Sequence, residues 1–141
     1  MSDAIYALMF ALVAAVVSLP PVLALLLYHG IESPFVTLVL VVFAAISAGT
    51  FAFYLGRNQS GLLTVPRGIL IMFLAFVFTV GVDMVILDLR LGGLTPESLT
   101  QLPKSILFFS FFGILGHGWY VLPIGAAVPW AARTIGARRV A

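Results

Sequence analysis

Two ionisable residues, Asp83 and His117, lie inside stretches that are otherwise apolar, FTVGVDMVIL and GILGHGWYV. A charge held in a hydrocarbon layer costs at least about 2.5 kcal/mol unless it is paired or neutralised, so residues of this kind are functional candidates. A carboxyl group and an imidazole in contact can hold or pass a proton. Asp83 and His117 are therefore candidates for a proton or ligand site.

Spacing from the nearest arginines predicts that these two residues share one depth. Asp83 lies 16 residues after Arg67, and His117 lies 16 residues before Arg133. At about 1.5 Å per helical residue, each would stand about 24 Å from its arginine. A single loop joins the two segments, so they run antiparallel. If they are neighbours that face each other, Asp83 and His117 can meet.

A purely structural role for the same pair is the favoured interpretation, and a chemical or transport role is the alternative. One Asp–His hydrogen bond can fix the register of two helices, which is worth about 0.6 kcal/mol on average in membranes. Arg90 lies two turns beyond Asp83 on the same helix face, so a water-bridged contact makes Arg90 a third candidate for the site. His29 and Glu32, in YHGIES, are interpreted as part of a solvated loop.

The composition indicates an integral membrane protein. Of the 141 residues, 62% are hydrophobic and 9% are charged, and the mean hydropathy is +1.20. Such a chain has too few polar groups to cover a water-facing surface. The absence of cysteine from the sequence excludes disulfides and thiolate metal sites. With no trustworthy internal repeat, residues 1–141 are predicted to form a single domain.

Four apolar stretches are long enough to cross a hydrocarbon layer of about 30 Å, which takes about 20 helical residues. They are Ala4–Tyr28, Pro34–Leu55, Gly68–Leu87 and Ile106–Trp130. These stretches are apolar all round and do not alternate in polarity, which favours helices over the strands of a barrel. The predicted fold is all-α, a polytopic membrane protein with a four-transmembrane-helix bundle.

The basic residues predict the orientation of that bundle. Arg57 and Arg67 precede the third span, and Arg133, Arg138 and Arg139 follow the fourth, so with four spans all five lie on one side. The positive-inside rule then places both termini in the cytoplasm, and the protein in the cell membrane.

Prolines and small residues indicate how the helices bend and pack. Pro20 and Pro21 lack the backbone N–H that a helix interior needs, so they are predicted to break the first span. Alanines along the first span and glycines along the fourth are predicted to face protein, because helices in lipid associate through close approach at small residues.

Capping signals predict where helices begin and end. Ser33 and Thr95 each precede a proline and are predicted N-caps, Thr95 of a short helix ahead of the fourth span. Gly56, Gly92 and Gly93 follow apolar runs, where left-handed caps usually occur.

Several kinds of chemistry lack support in the sequence. His29 and His117 are expected at different depths, which disfavours a bis-histidine haem, and two histidines alone leave a metal short of ligands. No cofactor or metal is therefore predicted. Nucleotide-binding and hydrolase motifs are absent from the sequence, so an enzyme is the less favoured class. Seven basic residues are too sparse for a nucleic-acid surface.

Two functions fit these observations. The first is a small accessory or structural subunit of a membrane assembly, whose partners are the lipid bilayer and other membrane subunits or further copies of itself. The alternative is a small oligomeric, proton-linked carrier or channel. It would use Asp83 and His117 as its site, and the break at Pro20 and Pro21 would line its path.

Overall fold

The structure is a computed structural model that describes residues 3–55 and 64–140, with the side chains of all of these except 64, 133 and 135–140. Within these ranges the regular structure is entirely helical, which confirms the predicted all-α class. The helices are α1 (Asp3–Val17), α2 (Leu19–Tyr28), α3 (Pro34–Leu55), α4 (Thr64–Leu91) and α5 (Pro96–Val140).

Three of the described helices are long and apolar enough to cross a membrane, and a fourth span results if α1 and α2 are counted together. The three are α3, most of α4 and the first 37 residues of α5. The axes of α1 and α2 differ by 44°, and the bend falls at Ser18, two residues before Pro20. The first predicted span is thus two helices joined at the proline pair.

Two short connections lie at the same end of the molecule, residues 29–33 between α2 and α3 and residues 92–95 between α4 and α5. We call this the short-loop end, and the opposite end, where α1 begins, the terminal end. Gly92 and Gly93 have positive φ values of 140° and 93°, which confirms their predicted role in ending a helix. Gly56 lies outside the described residues.

The predicted N-caps are both present. The Ser33 hydroxyl accepts a hydrogen bond from the N–H of Val36, and the Thr95 hydroxyl accepts one from the N–H of Ser98. The Ser98 hydroxyl lies 2.8 Å from the Thr95 N–H and completes a reciprocal cap. The prediction of a separate short helix after Thr95 is wrong. Helix α5 continues without interruption for 45 residues, about 67 Å, and passes through three internal prolines.

Close approach at glycine holds α4 against α5, which is the most extensive helix pair. A Cβ atom on Gly68 would collide with the carbonyl oxygen of Gly125 and lie 2.8 Å from Pro129. A Cβ atom on Gly125 would lie 2.9 Å from the Gly68 carbonyl oxygen. The two backbones therefore meet directly at this point, and the meeting point fixes the register of α4 against α5.

Small residues also join α1 to α3. A Cβ atom on Gly49 would lie 3.3 Å from the Cβ of Ala11 and from the carbonyl oxygen of Ala7. A larger hydrophobic cluster surrounds this contact, and a second cluster lies toward the short-loop end between α2 and α3. The helices thus follow one another in the spatial order α1–α2, α3, α4, α5.

We expect Gly125→Ala to lower the stability of the protein by about 1–2 kcal/mol, because the added methyl group meets a backbone carbonyl that cannot move aside. Gly116→Ala on the same helix is the matched control, since nothing lies within 4 Å of its Cβ position. Alanine is the better helix former by about 1 kcal/mol, so this control should be neutral or stabilising. Unfolding by dodecyl sulfate titration in mild detergent measures both variants. Equal responses of the two would contradict the glycine contact.

Candidate functional site

His29 is turned into the molecule by the way α2 ends. The N–H of Ile31 donates to the carbonyl of Leu26 and the N–H of Gly30 donates to that of Leu27, the two bonds of a Schellman motif. Gly30 adopts φ +67°, which reverses the chain, and Ile31 packs in the second cluster with Leu26. His29 stands at the C-cap of this tightly held turn.

The partner of His29 is Asp83 of α4. The Nδ1 atom of His29 lies 3.1 Å from Oδ2 of Asp83, and the two side chains are 6% and 0% exposed. The distance is that of a hydrogen bond. None of the four polar atoms of this pair has another hydrogen-bond partner in the described parts of the chain.

The predicted contact between Asp83 and His117 is therefore wrong, as is the solvated position predicted for His29. Arg67 and Arg133 do not mark one level, because Gly68 meets Gly125, which lies eight residues before Arg133. Measured from that meeting point, Asp83 is about 22 Å along α4 and His117 about 12 Å along α5. The two residues are separated by about 10 Å in depth.

His117 interacts with its own helix. Its Nδ1 atom lies 2.8 Å from the hydroxyl oxygen of Tyr120, one turn later, and the two rings meet edge to face. This contact uses one ring nitrogen. The Nε2 atom has no hydrogen-bond partner among the described residues.

A cavity of about 420 Å³ lies beside His117, between the bent α1–α2 segment and helices α4 and α5. The bend at Ser18 and Pro21 forms part of its wall, and Phe76, Phe109 and His117 line the other side. Its walls are mostly apolar. Helix α2 touches α5 over only a short stretch, so the cavity is partly open on this side.

The remaining predicted site residues are not brought into contact with Asp83 and His117. Arg90 is exposed in the last turn of α4, whereas Asp83 is sealed against His29. Pro20 is exposed and Pro21 is buried, and only Pro21 lines the cavity. The structure thus has two separate polar features, the His29–Asp83 pair and the cavity with His117.

The two features differ in what they can do chemically. The His29–Asp83 pair is neutral overall whether its proton is on the ring or on the carboxyl group, which makes it tolerable in an apolar setting. Being sealed, it can fix α2 against α4. His117 has a free ring nitrogen beside open space and can contact a ligand. Within residues 3–55 and 64–140, no group of three or more metal-ligating side chains occurs.

The sequence did not identify His29 as the partner of Asp83, because the segment YHGIES is polar and resembles an exposed loop. The detectable signal was the apolar residue after Gly30, since an isoleucine in that position is typical of a Schellman turn that packs back on its helix. His29 itself follows Leu26 by three residues and Val22 by seven, so it continues the buried face of α2.

Comparison of the sequence with known protein families and with curated proteins, and of the fold with solved structures, found no match. The fold and the site themselves define a class: a helical protein with several membrane-length helices, a buried His–Asp pair, and a cavity beside His117.

We expect His29→Leu to cost about 3 kcal/mol of stability, because it leaves the Asp83 carboxyl group buried without a partner. Asp83→Leu should cost less, since a neutral imidazole is cheaper to bury than a carboxylate. The double variant should recover most of the loss, because an apolar pair can replace a buried ion pair. Dodecyl sulfate unfolding of all four proteins gives the coupling energy.

Asp88→Leu is the control for this cycle, since Asp88 lies on the same helix but is partly exposed. Its effect should stay within about 0.5 kcal/mol. Strictly additive effects of the His29 and Asp83 substitutions would show that the two side chains do not interact.

Proposed function

We propose that this chain is a four-span integral membrane protein, with both termini in the cytoplasm, that acts as an accessory or structural subunit of a membrane assembly. The α1–α2 segment supplies the first span as one bent unit, and the prolines permit the bend. Both short loops then lie on the outer side, together with Asp88 and Arg90. The orientation rests on the arginine distribution of the sequence, although Arg57 lies outside the described residues.

The observation that carries the subunit proposal is how little of α5 the rest of the chain covers. In the most apolar 18-residue stretch of each helix, 33% of the residues of α3 and 39% of those of α4 are buried, compared with 17% for α5. Helix α5 is also the longest helix, with 45 residues. A helix that packs on one side only offers the rest of its surface to lipid or to another protein.

The uncovered surface of α5 carries a regular run of large apolar and aromatic side chains. Large side chains recur every four residues along it and are 60–76% exposed; these are Leu107, Phe111, Leu115 and Trp119, which we call the α5 stripe. The stripe is separate from the cavity, since none of the four residues lines it. Aromatic side chains bring large contact area, and Trp and Phe are enriched where proteins associate. We infer that the α5 stripe is where this subunit contacts its assembly.

The structure offers less support for a proton-linked carrier that uses Asp83 and His117. The carboxyl group is sealed against His29, and His117 lies at a different depth beside an apolar cavity. A packing role for the His29–Asp83 pair agrees better with the subunit proposal.

The absence of cysteine from the sequence makes the topology directly measurable. Single cysteines introduced by Leu94→Cys, Asp3→Cys and Ala141→Cys should react differently with a membrane-impermeant maleimide in intact cells. The Leu94 position should label from outside, and the two terminal positions should label only after permeabilisation. Labelling of either terminus in intact cells would contradict the proposed orientation.

Association through the α5 stripe predicts a position-specific effect. In digitonin extracts the wild-type chain should sediment well above the size of its 15.1 kDa monomer and micelle. Leu115→Trp should weaken association at least tenfold, because a bulkier ring disturbs packing against a partner while lipid accommodates it. Leu38→Trp on α3 is equally exposed and should have no effect. Sedimentation of the wild type as a monomer would overturn the subunit proposal.

A further inference from the structure

The cavity has the properties of a ligand site and is separate from the α5 stripe. Its volume of about 420 Å³ falls in the range of small-molecule pockets, which are mostly apolar with a few placed polar groups. It lies along membrane-length segments of α4 and α5 and is partly open past α2. If those helices span a membrane, the cavity exchanges its contents with lipid.

Hydrogen bonds within single helices leave few polar atoms free in the cavity wall. The hydroxyl groups of Ser18 and Thr79 both line it, but each donates to a carbonyl of its own helix, at 3.1 and 2.8 Å. Tyr28 also lines the cavity, but it is 73% exposed at the edge of the molecule. His117 is different, because it is half-buried and its Nδ1 atom is engaged by Tyr120. When the Tyr120 hydroxyl donates to Nδ1, the ring proton is on Nε2, so Nε2 is a donor without a protein acceptor.

The wall chemistry restricts what can occupy the site. Its lining has no Asp, Glu, Lys or Arg, so a charged ligand would lose its hydration without gaining a counter-charge. Aromatic rings make up much of the surface, among them Phe76, Phe109 and Phe112. Such walls favour an extended apolar body or a flat ring. In the tautomer with its proton on Nε2, His117 requires an acceptor on that ligand.

We propose that this cavity binds a neutral lipid-like molecule whose carbonyl oxygen accepts a hydrogen bond from Nε2 of His117. The apolar body lies between the bend at Ser18 and Pro21 and the aromatic wall of α5. Two membrane sources supply such a carbonyl: the head group of an isoprenoid quinone and the ester of a neutral glycerolipid. Ligand binding is independent of the subunit proposal, because it requires neither a partner nor the α5 stripe.

The test is equilibrium binding of tritiated probes to the purified full chain in alkyl maltoside micelles, a detergent that has no carbonyl group. Decylubiquinone represents the quinone source, dioctanoylglycerol the ester source, and palmitate a charged competitor. We expect saturable binding of at least one neutral probe at one molecule per chain. The neutral probe that binds more tightly identifies the source.

Three variants link the binding to the cavity. His117→Leu should weaken binding of the neutral probe at least tenfold, and Tyr120→Phe, which frees the ring, should weaken it by a smaller factor. Gly116→Leu should abolish it, since Gly116 lines the cavity and its Cβ position is open. Thr50→Leu adds a leucine at an exposed position of α3 and should bind like the wild type. Circular dichroism and elution volume check that each variant is folded.

Three results would overturn the proposal. These are no saturable binding of either neutral probe, tighter binding of palmitate than of both, and wild-type affinity in folded His117→Leu. If His117→Leu fails to fold, unchanged affinity in Tyr120→Phe and in Gly116→Leu has the same meaning. Loss of binding in these variants without change in sedimentation separates this site from the assembly surface.

Discussion

The meeting of the α4 and α5 backbones at Gly68 and Gly125 is the constraint on which the rest of the arrangement depends. With no side chain between them, the two helices approach until a carbonyl of one faces the Cα of the other. That contact sets the depth of every residue on α4 relative to α5. It separates Asp83 from His117 by about 10 Å and leaves each to find a different partner.

The two partners have opposite consequences. Asp83 is matched by His29, a residue on the tight turn after α2, and the pair is closed to its surroundings. Burial of such a pair gives little net stability, but separation of its two members is costly. The pair therefore favours the one packing of α2 against α4 in which His29 and Asp83 meet. His117 is matched within its own turn by Tyr120, which leaves its second ring nitrogen without a partner among the described residues, and the residue lines a cavity. One histidine is thus suited to structure and the other to binding.

The cavity and the proline pair have a common origin. Because α1 and α2 diverge by 44° at Ser18, α2 can pack on α3 at the short-loop end while α1 packs on α3 at the terminal end. Neither segment closes fully against α5. The space that remains is lined by residues from both sides of the bend, and none of the residues of the α5 stripe lines it.

The sequence by itself determined the local features: the all-α class, the apolar stretches, and the caps at Ser33, Thr95 and Gly92, because each depends on backbone chemistry within a few residues. It also singled out Asp83 and His117 as costly residues. Only the tertiary structure decided their partners. The register of α4 against α5 depends on where Gly68 and Gly125 let the two backbones meet. Counting residues from Arg67 and from Arg133 does not reveal that meeting point. The burial of His29 likewise depends on how α2 and Ile31 pack against the rest of the chain, and the polar segment YHGIES does not reveal that packing.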